Sequence, residues 1–405
     1  MIWPLEAIAN CIDNIETWNP RKADTNDSFL YLDLSSIDKE KKVIDSKSVN
    51  TVFAHEAPSR ARQIVMTQDV IVATVRPNLN GVAYIDDDFH LSTASTGYCV
   101  LRCNEKLDPK YLYYWVCGST FIRDMVKKAT GANYPAVSDK IIKQSLIPLP
   151  PLNVQRNIAK ILDQANQLRQ QAAQLETELN QLAQTVFQEM FGDPVENLKK
   201  WPMTPLSVVV KAFQGGKSLG SIGEDTKTKN RVLKISSVTW RDFNPTQSKP
   251  VSDDYEPPSE HFVKKDDLLF SRANTTELVG ATSYVWDDYE GYLLPDKLWR
   301  FIWKDEDKID QLFIWNLMMN PTTRRELGKL ATGSGGSMKN ISKKKLLDFK
   351  IPLPPHEEQK KYGDFYRNLH STVVENRKQT IELETLFQSL TQKAFKDELR
   401  LPETP

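Results

Sequence analysis

The sequence predicts an α+β chain: two similar mixed α+β domains separated by two long antiparallel coiled-coil helices, arranged with pseudo-two-fold symmetry. Three observations predict it. The pentapeptide IPLPP occurs at residues 147–151 and again at 351–355. Each copy is followed by a long Gly- and Pro-poor segment with apolar residues at alternating three- and four-residue steps. Upstream of each copy, short apolar runs rich in β-formers are punctuated by Pro, Gly and Asn.

The repeat extends over nearly the whole chain. Trp3-Pro4 returns as Trp201-Pro202, LDLSSI at 32–37 as LKISSV at 233–238, and ATG at 129–131 as ATG at 331–333. Ser138 and Ser342 stand equally far from their IPLPP. A period of roughly 200 residues is too long for a solenoid and signals two similar domains, each with a similar tail.

The first domain, residues 1–151, carries strand patterns at 31–37 and 64–75 (IVMTQDVIVATV) and a short helix at Pro109–Cys117. A Pro-Pro step disfavours helix on its N-terminal side, so IPLPP is a stop between the body and helix 152–192. That helix has its seam at Ile158, Ile161, Ala165, Leu168, Ala172, Leu175, Leu179, Leu182 and Val186, and Gly192-Asp-Pro194 ends it. The second domain, residues 193–355, has strands at 232–238 and 266–271 and a helix at 309–319. Helix 356–399 follows. Its seam is Tyr366, Leu369, Val373, Asn376, Thr380, Leu383, Phe387, Leu390 and Ala394, each 208 positions beyond its counterpart. The offset grows from 204 to 208, and four residues are close to one helical turn, so the stripe keeps its face. Two matched helices in one chain most simply pack on each other. Asn376 replaces Leu168 in the alignment: a polar seam residue either fixes register or partner, or marks a locally solvated stretch.

Composition narrows the function classes. Lys+Arg and Asp+Glu are both 53, which excludes a chain held to nucleic acid by a global positive field and leaves local basic patches. The four cysteines (Cys11, Cys99, Cys103, Cys117) have neither CxxC nor disulfide-framework spacing, as expected for reduced, half-buried thiols in the cytoplasm. The five histidines are scattered, without metal-site pairing. The start MIWPLEAIAN lacks a signal-peptide pattern, and no apolar run approaches the ~20 residues of a membrane span.

Basic and amide side chains concentrate in the loops. In the first body these are Arg60, Arg62, Arg76, Asn78, Asn80, Asn133 and Tyr134. In the second they are Lys217, Ser218, Arg272, Asn274, Thr275, Thr276, Lys297, Arg300, Ser337, Lys339 and Asn340. Arg reads guanine edges and Asn adenine edges in the major groove, while Lys, Ser and Thr hold phosphates. RPNLNG follows the first strand and RANTTELVG the second, so one frame carries two different loops. Gly215-Gly-Lys-Ser218 lacks the leading glycine of a phosphate loop, since residue 211 is Lys. The GSGG at 333–336 reads as a flexible loop, and no constellation for catalysis emerges.

Two variable α+β bodies, each ending in IPLPP with a Gln four residues on (Gln155, Gln359) and a long helix, resemble the DNA-specificity subunit of Type I restriction-modification enzymes. The resemblance covers essentially the whole chain. It implies that each body is a target-recognition domain reading half of a bipartite double-stranded DNA site. It implies that the helices separate the bodies and dock two methyltransferase subunits, with restriction/translocase subunits completing the assembly. S-adenosylmethionine and ATP with Mg would then belong to those partners, and this chain would bind no cofactor and no membrane. The first domain starts at once at Trp3, so the helical region is split between the middle and the end of the chain. Two other assignments fit the pattern: an enzyme, or the specificity chain of a Type IIB-like system, and a coiled-coil scaffold with no DNA role. About 40 helical residues span about 60 Å, against ~34–36 Å between half-sites one turn of B-DNA apart, so helix length is expected to set the unread spacer.

Overall fold

The computed structural model describes residues 3–23, 27–220, 222–223, 226–333, 338–396 and 398–399. The chain divides into two compact units whose borders fall inside the long helices: residues 1–174 with 377–405, and residues 175–376.

In the first unit one sheet runs in the order Asn50–Phe53, Ser28–Leu32, Thr93–Ser95, Ala61–Ile64. A second runs Ile12–Asp13, Tyr98–Cys103, Val70–Ala73, Val82–Tyr84. Only Thr93–Ser95 on Ser28–Leu32 is parallel among these pairs. The single strand expected over 64–75 is two strands in different sheets. Gln68 takes a left-handed φ of 74°, and the Asp69 carboxylate accepts the Met66 N–H at 2.8 Å, which turns the chain between them. Helices α1 (Pro109–Cys117), α2 (Ser119–Lys128) and α3 (Asp139–Lys143) follow, then α4 (Leu152–Phe191). Asp108 caps α1 by accepting the Tyr111 N–H, with Pro109 at the first helical position. The buried face of α1 packs with Val70, Val82 and Leu101 of the sheet and with Ile158, Ala159 and Leu162 of α4.

The second unit repeats this plan. Its sheets run Val210–Gly215, Leu298–Trp303, Leu268–Ser271, Thr282–Tyr284, and Ser248–Pro250, Arg231–Leu233, Tyr292–Leu293, the last pair again parallel. Helices α5 (Gln311–Met319), α6 (Pro321–Leu330), α7 (Lys343–Leu347) and α8 (His356–Ala394) correspond to α1 through α4. A buried ion pair is copied with the fold. Arg102 pairs with Asp69 at 2.8 Å in the first unit, and Arg300 with Asp267 in the second.

The duplicated IPLPP is where each body closes on itself. Leu5–Ala7 pairs antiparallel with Leu146–Pro148, and Met203–Pro205 with Lys350–Pro352, so the first and last strands of each body lie side by side. The glutamine four residues past each motif locks that closure to the first turn of the long helix. The Gln155 amide donates to the carbonyls of Pro150 (2.8 Å) and Lys106 (3.0 Å) and accepts the Asp108 N–H (2.9 Å). Gln359 donates to Pro354 O (2.8 Å) and accepts the Asp310 N–H (3.2 Å). Both glutamines are 1% exposed, so the motif satisfies backbone groups that would otherwise be orphaned in the core.

The long helices bury their stripes differently. On α8 the expected seam holds: Tyr366, Leu369, Val373, Asn376 and Ala394 are buried, and Leu383, Phe387 and Leu390 half-buried. On α4, Ile158, Ala165 and Ala172 are buried and Ile161, Leu179 and Val186 half-buried, but Leu168, Leu175 and Leu182 are 53%, 42% and 44% exposed. Their places are taken by Ala159, Leu162, Ala183, Phe187 and Phe191. These belong to the cores of the two bodies, so the buried face of α4 is set near its ends by the body packed there. In the first unit the two helices run antiparallel, with Arg169 paired to Glu384 at 2.9 Å and Ile158 and Ala394 in one core. In the second, Tyr362 stacks edge-on against Phe187 and Phe191.

All four cysteines are free thiols, Cys11 and Cys99 buried and Cys103 and Cys117 half-buried. Burial pushes the Cys117 thiol up to about 12 and raises the other three. Protonated thiols are poor nucleophiles. Iodoacetamide at neutral pH is therefore expected to label the native chain at least ~10-fold more slowly than the urea-unfolded chain, as read by intact mass. Among the described residues no helix is long and apolar enough to cross a membrane.

Candidate nucleic-acid interface

In the first body, two loops distant in sequence lie against each other. Val75 bridges Ala136, the Arg76 N–H donates to Pro135 O at 2.7 Å, and the Val137 N–H donates to Thr74 O at 2.9 Å. Arg76 and Asn80 take left-handed φ values of 52° and 46° on either side of the 3-10 turn Pro77–Leu79. Such a backbone costs a non-glycine residue roughly 1–2 kcal/mol and persists only where the surroundings impose it. Here they do. Asn80 Nδ2 donates to Cys117 O (3.2 Å), and Lys42 Nζ donates to Asn80 O (2.6 Å). The locked turn leaves Arg76 and Asn78 exposed beside exposed Asn133 and Tyr134. The Arg76 guanidinium lies 4.8 Å over the Tyr134 ring, which is itself 67% exposed.

The second body pairs the equivalent loops. Ala273 faces Asn340 and Asn274 faces Lys339, while the Ile341 N–H donates to Arg272 O at 2.9 Å. Asn274, Thr275, Thr276 and Lys339 thus share one ridge, with Thr275 and Thr276 exposed. The register differs from the one the sequence suggests. Thr74 N–H donates to Gly97 O (2.9 Å) and Arg272 N–H to Lys297 O (3.1 Å), so Arg272 stands in the place of Thr74. The place of Arg76 belongs to Asn274.

Several expected contact residues are committed to the fold. Arg300 is 7% exposed; its guanidinium pairs with Asp267 and donates to Glu260 O, so it is a core residue. Burial raises the Asp267 carboxyl against the pull of Arg300. Asn80 is 7% exposed and serves as an anchor. Arg272 is drawn inward, its Nε donating to Asp296 O (2.9 Å) and its Nη1 to Asn340 Oδ1 (3.3 Å), with Trp299 beneath it. That bond engages Asn340 as well. Arg62 is half-buried and donates from Nε to Ser59 O at 2.8 Å. Lys339 Nζ donates to Gly333 O at 3.0 Å. Arg60, Lys217 and Ser218 are exposed on other loops, with Lys217 Nζ 5.6 Å from the Tyr255 ring, and Lys297 is half-buried. Ser337 lies outside the described residues.

Two residues escaped the sequence reading. Lys42, whose ammonium is lowered by burial, pins the first loop through Asn80, and no motif marks it. Arg324 of α6 supports the second loop by donating to Glu277 O at 3.1 Å. It pairs with no carboxylate among the described residues, and burial brings its guanidinium down to about 10. Gly280 must be glycine there: its φ is +81° and a Cβ would sit 2.9 Å from Arg324 Nη1. Among the described residues no cluster of three or more His, Cys, Asp or Glu could hold a metal ion.

Residues 38–181 and 234–384 match the family described as Type I restriction modification DNA specificity domain. The MjaVIII specificity subunit of Methanocaldococcus jannaschii is 29% identical over 299 residues, which is 69% of this chain and 68% of the relative. The EcoKI specificity subunit of Escherichia coli is 23% identical over 371 residues, 87% of this chain and 79% of the relative. The fold is shared with the Type I restriction-modification S subunit of M. genitalium (TM-score 0.61, 15% identity, 100% and 97% of the two chains covered). It is also shared with a chain solved in work on complex assembly and conformational transition of the type I R-M system (TM-score 0.60, 24% identity, 98% of each chain). With two matched segments covering more than half of its length, the chain belongs to the Type I restriction-modification DNA specificity family.

Proposed function

We propose that this chain reads a bipartite DNA site, one half with each body, without catalysing a reaction itself, and brings partner subunits to that site in the cytoplasm. One observation carries the reading: each body builds the same pair of docked loops on the same frame, and the two ridges present different side chains, Arg76, Asn78 and Tyr134 in one and Asn274, Thr275 and Thr276 in the other. Base readout needs this combination of a rigid scaffold and variable polar tips. The partners are two methyltransferase subunits and restriction/translocase subunits, and these would bind the S-adenosylmethionine and the ATP with Mg. Leu168 in the first unit, and Leu175 and Leu182 in the second, are exposed apolar residues on α4 suited to receiving the methyltransferase subunits.

Exchange of residues 1–146 for the corresponding body of another family member tests this. Methylome sequencing of cells expressing the intact system should show one half of a split motif replaced, with the other half and the gap unchanged. Modification at an unchanged motif would refute the reading.

A further inference from the structure

The two reading heads differ at one position that is equivalent in hydrogen-bond register, with Arg76 in a left-handed turn and Asn274 in the strand Ala273–Asn274, and the chemistry there is specific. Residue 76 of the first body and residue 274 of the second each lie two residues past the last ladder bond of the preceding strand, and each is braced by the facing loop. The first is Arg76, exposed and stacked on Tyr134. The second is Asn274, half-buried, with its Oδ1 accepting the Thr275 N–H at 2.8 Å. The arginine that follows strand Leu268–Ser271 is not the counterpart of Arg76, because its guanidinium is spent on Asp296 and Asn340.

We infer that positions 76 and 274 are matched specificity determinants: Arg76 reads a guanine in the half-site of the first body, and Asn274 reads an adenine at the corresponding step of the other half-site. This rests on the DNA-reading function proposed above. The pairing follows from donor geometry. A guanidinium fork satisfies guanine O6 and N7, and a carboxamide satisfies adenine N6 and N7. Oδ1 of Asn274 retains a lone pair after the Thr275 bond, and Nδ2 makes no bond recorded among the described residues, so both halves of the amide remain for a base. Tyr134 is a positioning residue. Its ring lies 4.8 Å beneath the guanidinium carbon, a contact that restrains the long side chain before binding and lowers its ordering cost. The left-handed backbone at Arg76 aims that side chain, and asparagine tolerates the same φ, so an Arg76→Asn exchange keeps the turn.

The test is selection of bound duplexes from a pool randomised at both half-sites, using the full chain in wild-type, Arg76→Asn, Asn274→Arg and Tyr134→Leu forms. Arg76→Asn should move one position of one half-site from guanine to adenine with a preference change of about 5–150-fold, leaving the other half intact. Asn274→Arg should do the reverse in the other half. Tyr134→Leu should weaken the guanine preference without substituting another base. If wild-type chain enriches a split motif and Arg76→Asn leaves every position unchanged, or lowers binding uniformly, the assignment is overturned while the DNA-reading function stands. If wild-type chain enriches no motif, that function fails and the assignment with it.

Discussion

Asp267→Ala is expected to cost the second unit about 3 kcal/mol of stability. Arg300 is a buried cation whose only carboxylate partner among the described residues is Asp267, and removal of that partner leaves a guanidinium on the sheet face of Leu298 and Leu269, the register neighbour of Arg300. The carbonyls of Glu260 and Phe262 still accept from its Nη atoms, which holds the loss near the low end of the range for breaking a buried pair. The pair itself is not strongly stabilising, since burial raises the Asp267 carboxyl in spite of Arg300. The double substitution Asp267→Leu with Arg300→Met should therefore recover most of the loss. Urea unfolding followed by tryptophan fluorescence suits this experiment, because six of the nine tryptophans (Trp201, Trp240, Trp286, Trp299, Trp303, Trp315) lie in the second unit. A single substitution that leaves the midpoint unchanged would show that the pair lies in a wetter setting than described.

Gly363→Ala is expected to destabilise the same unit by about 2 kcal/mol, although in an ordinary helix interior the change would stabilise by up to ~1 kcal/mol. Gly363 sits in α8 where that helix meets the start of α5, and a Cβ there would lie 2.1 Å from Asp310 Oδ2. The Asp310 carboxylate cannot yield freely. Its Oδ1 accepts the Leu312 and Phe313 N–H groups at 2.9 and 3.2 Å, and its Oδ2 accepts Arg367 at 2.8 Å. A methyl group must displace the cap, the ion pair or the helix. Loss of the cap alone costs about 1 kcal/mol. The sign of the change in urea midpoint decides the matter, and a rise would mean that α8 stands farther from α5.

The duplication and the helical tails were legible because repeats and heptads are linear patterns. IPLPP, the spaced glutamines and the α8 seam could each be read without knowing what they touch. The α4 seam misled for a physical reason: Ile161, Leu168, Leu175 and Leu182 form a perfect seven-residue row, yet the bodies packed near the helix ends bury the face of Ala159, Leu162, Ala183, Phe187 and Phe191 instead. The loop residues were legible as types and not as roles. Arg76, Arg272 and Arg300 look alike in one dimension. Only the partners in space, Tyr134, Asp296 and Asp267, separate an exposed guanidinium from two that hold the fold together. The two-residue register shift between the heads was equally hidden, since it is defined by which carbonyl receives the amide of Thr74 and which that of Arg272.

The division of the chain into units has a consequence for synthesis. The second unit is one uninterrupted stretch, whereas the first needs residues 377 onward, with Phe387, Leu390 and Ala394 completing the core around Tyr111 and Trp115. On the ribosome the body that emerges first is therefore finished last. Its aromatic surface must wait, uncovered, through about 200 further residues, some 10–40 s at ordinary elongation rates. The newborn N-terminal half is thus the natural client for a chaperone, and the later-made half is the one able to fold on its own schedule.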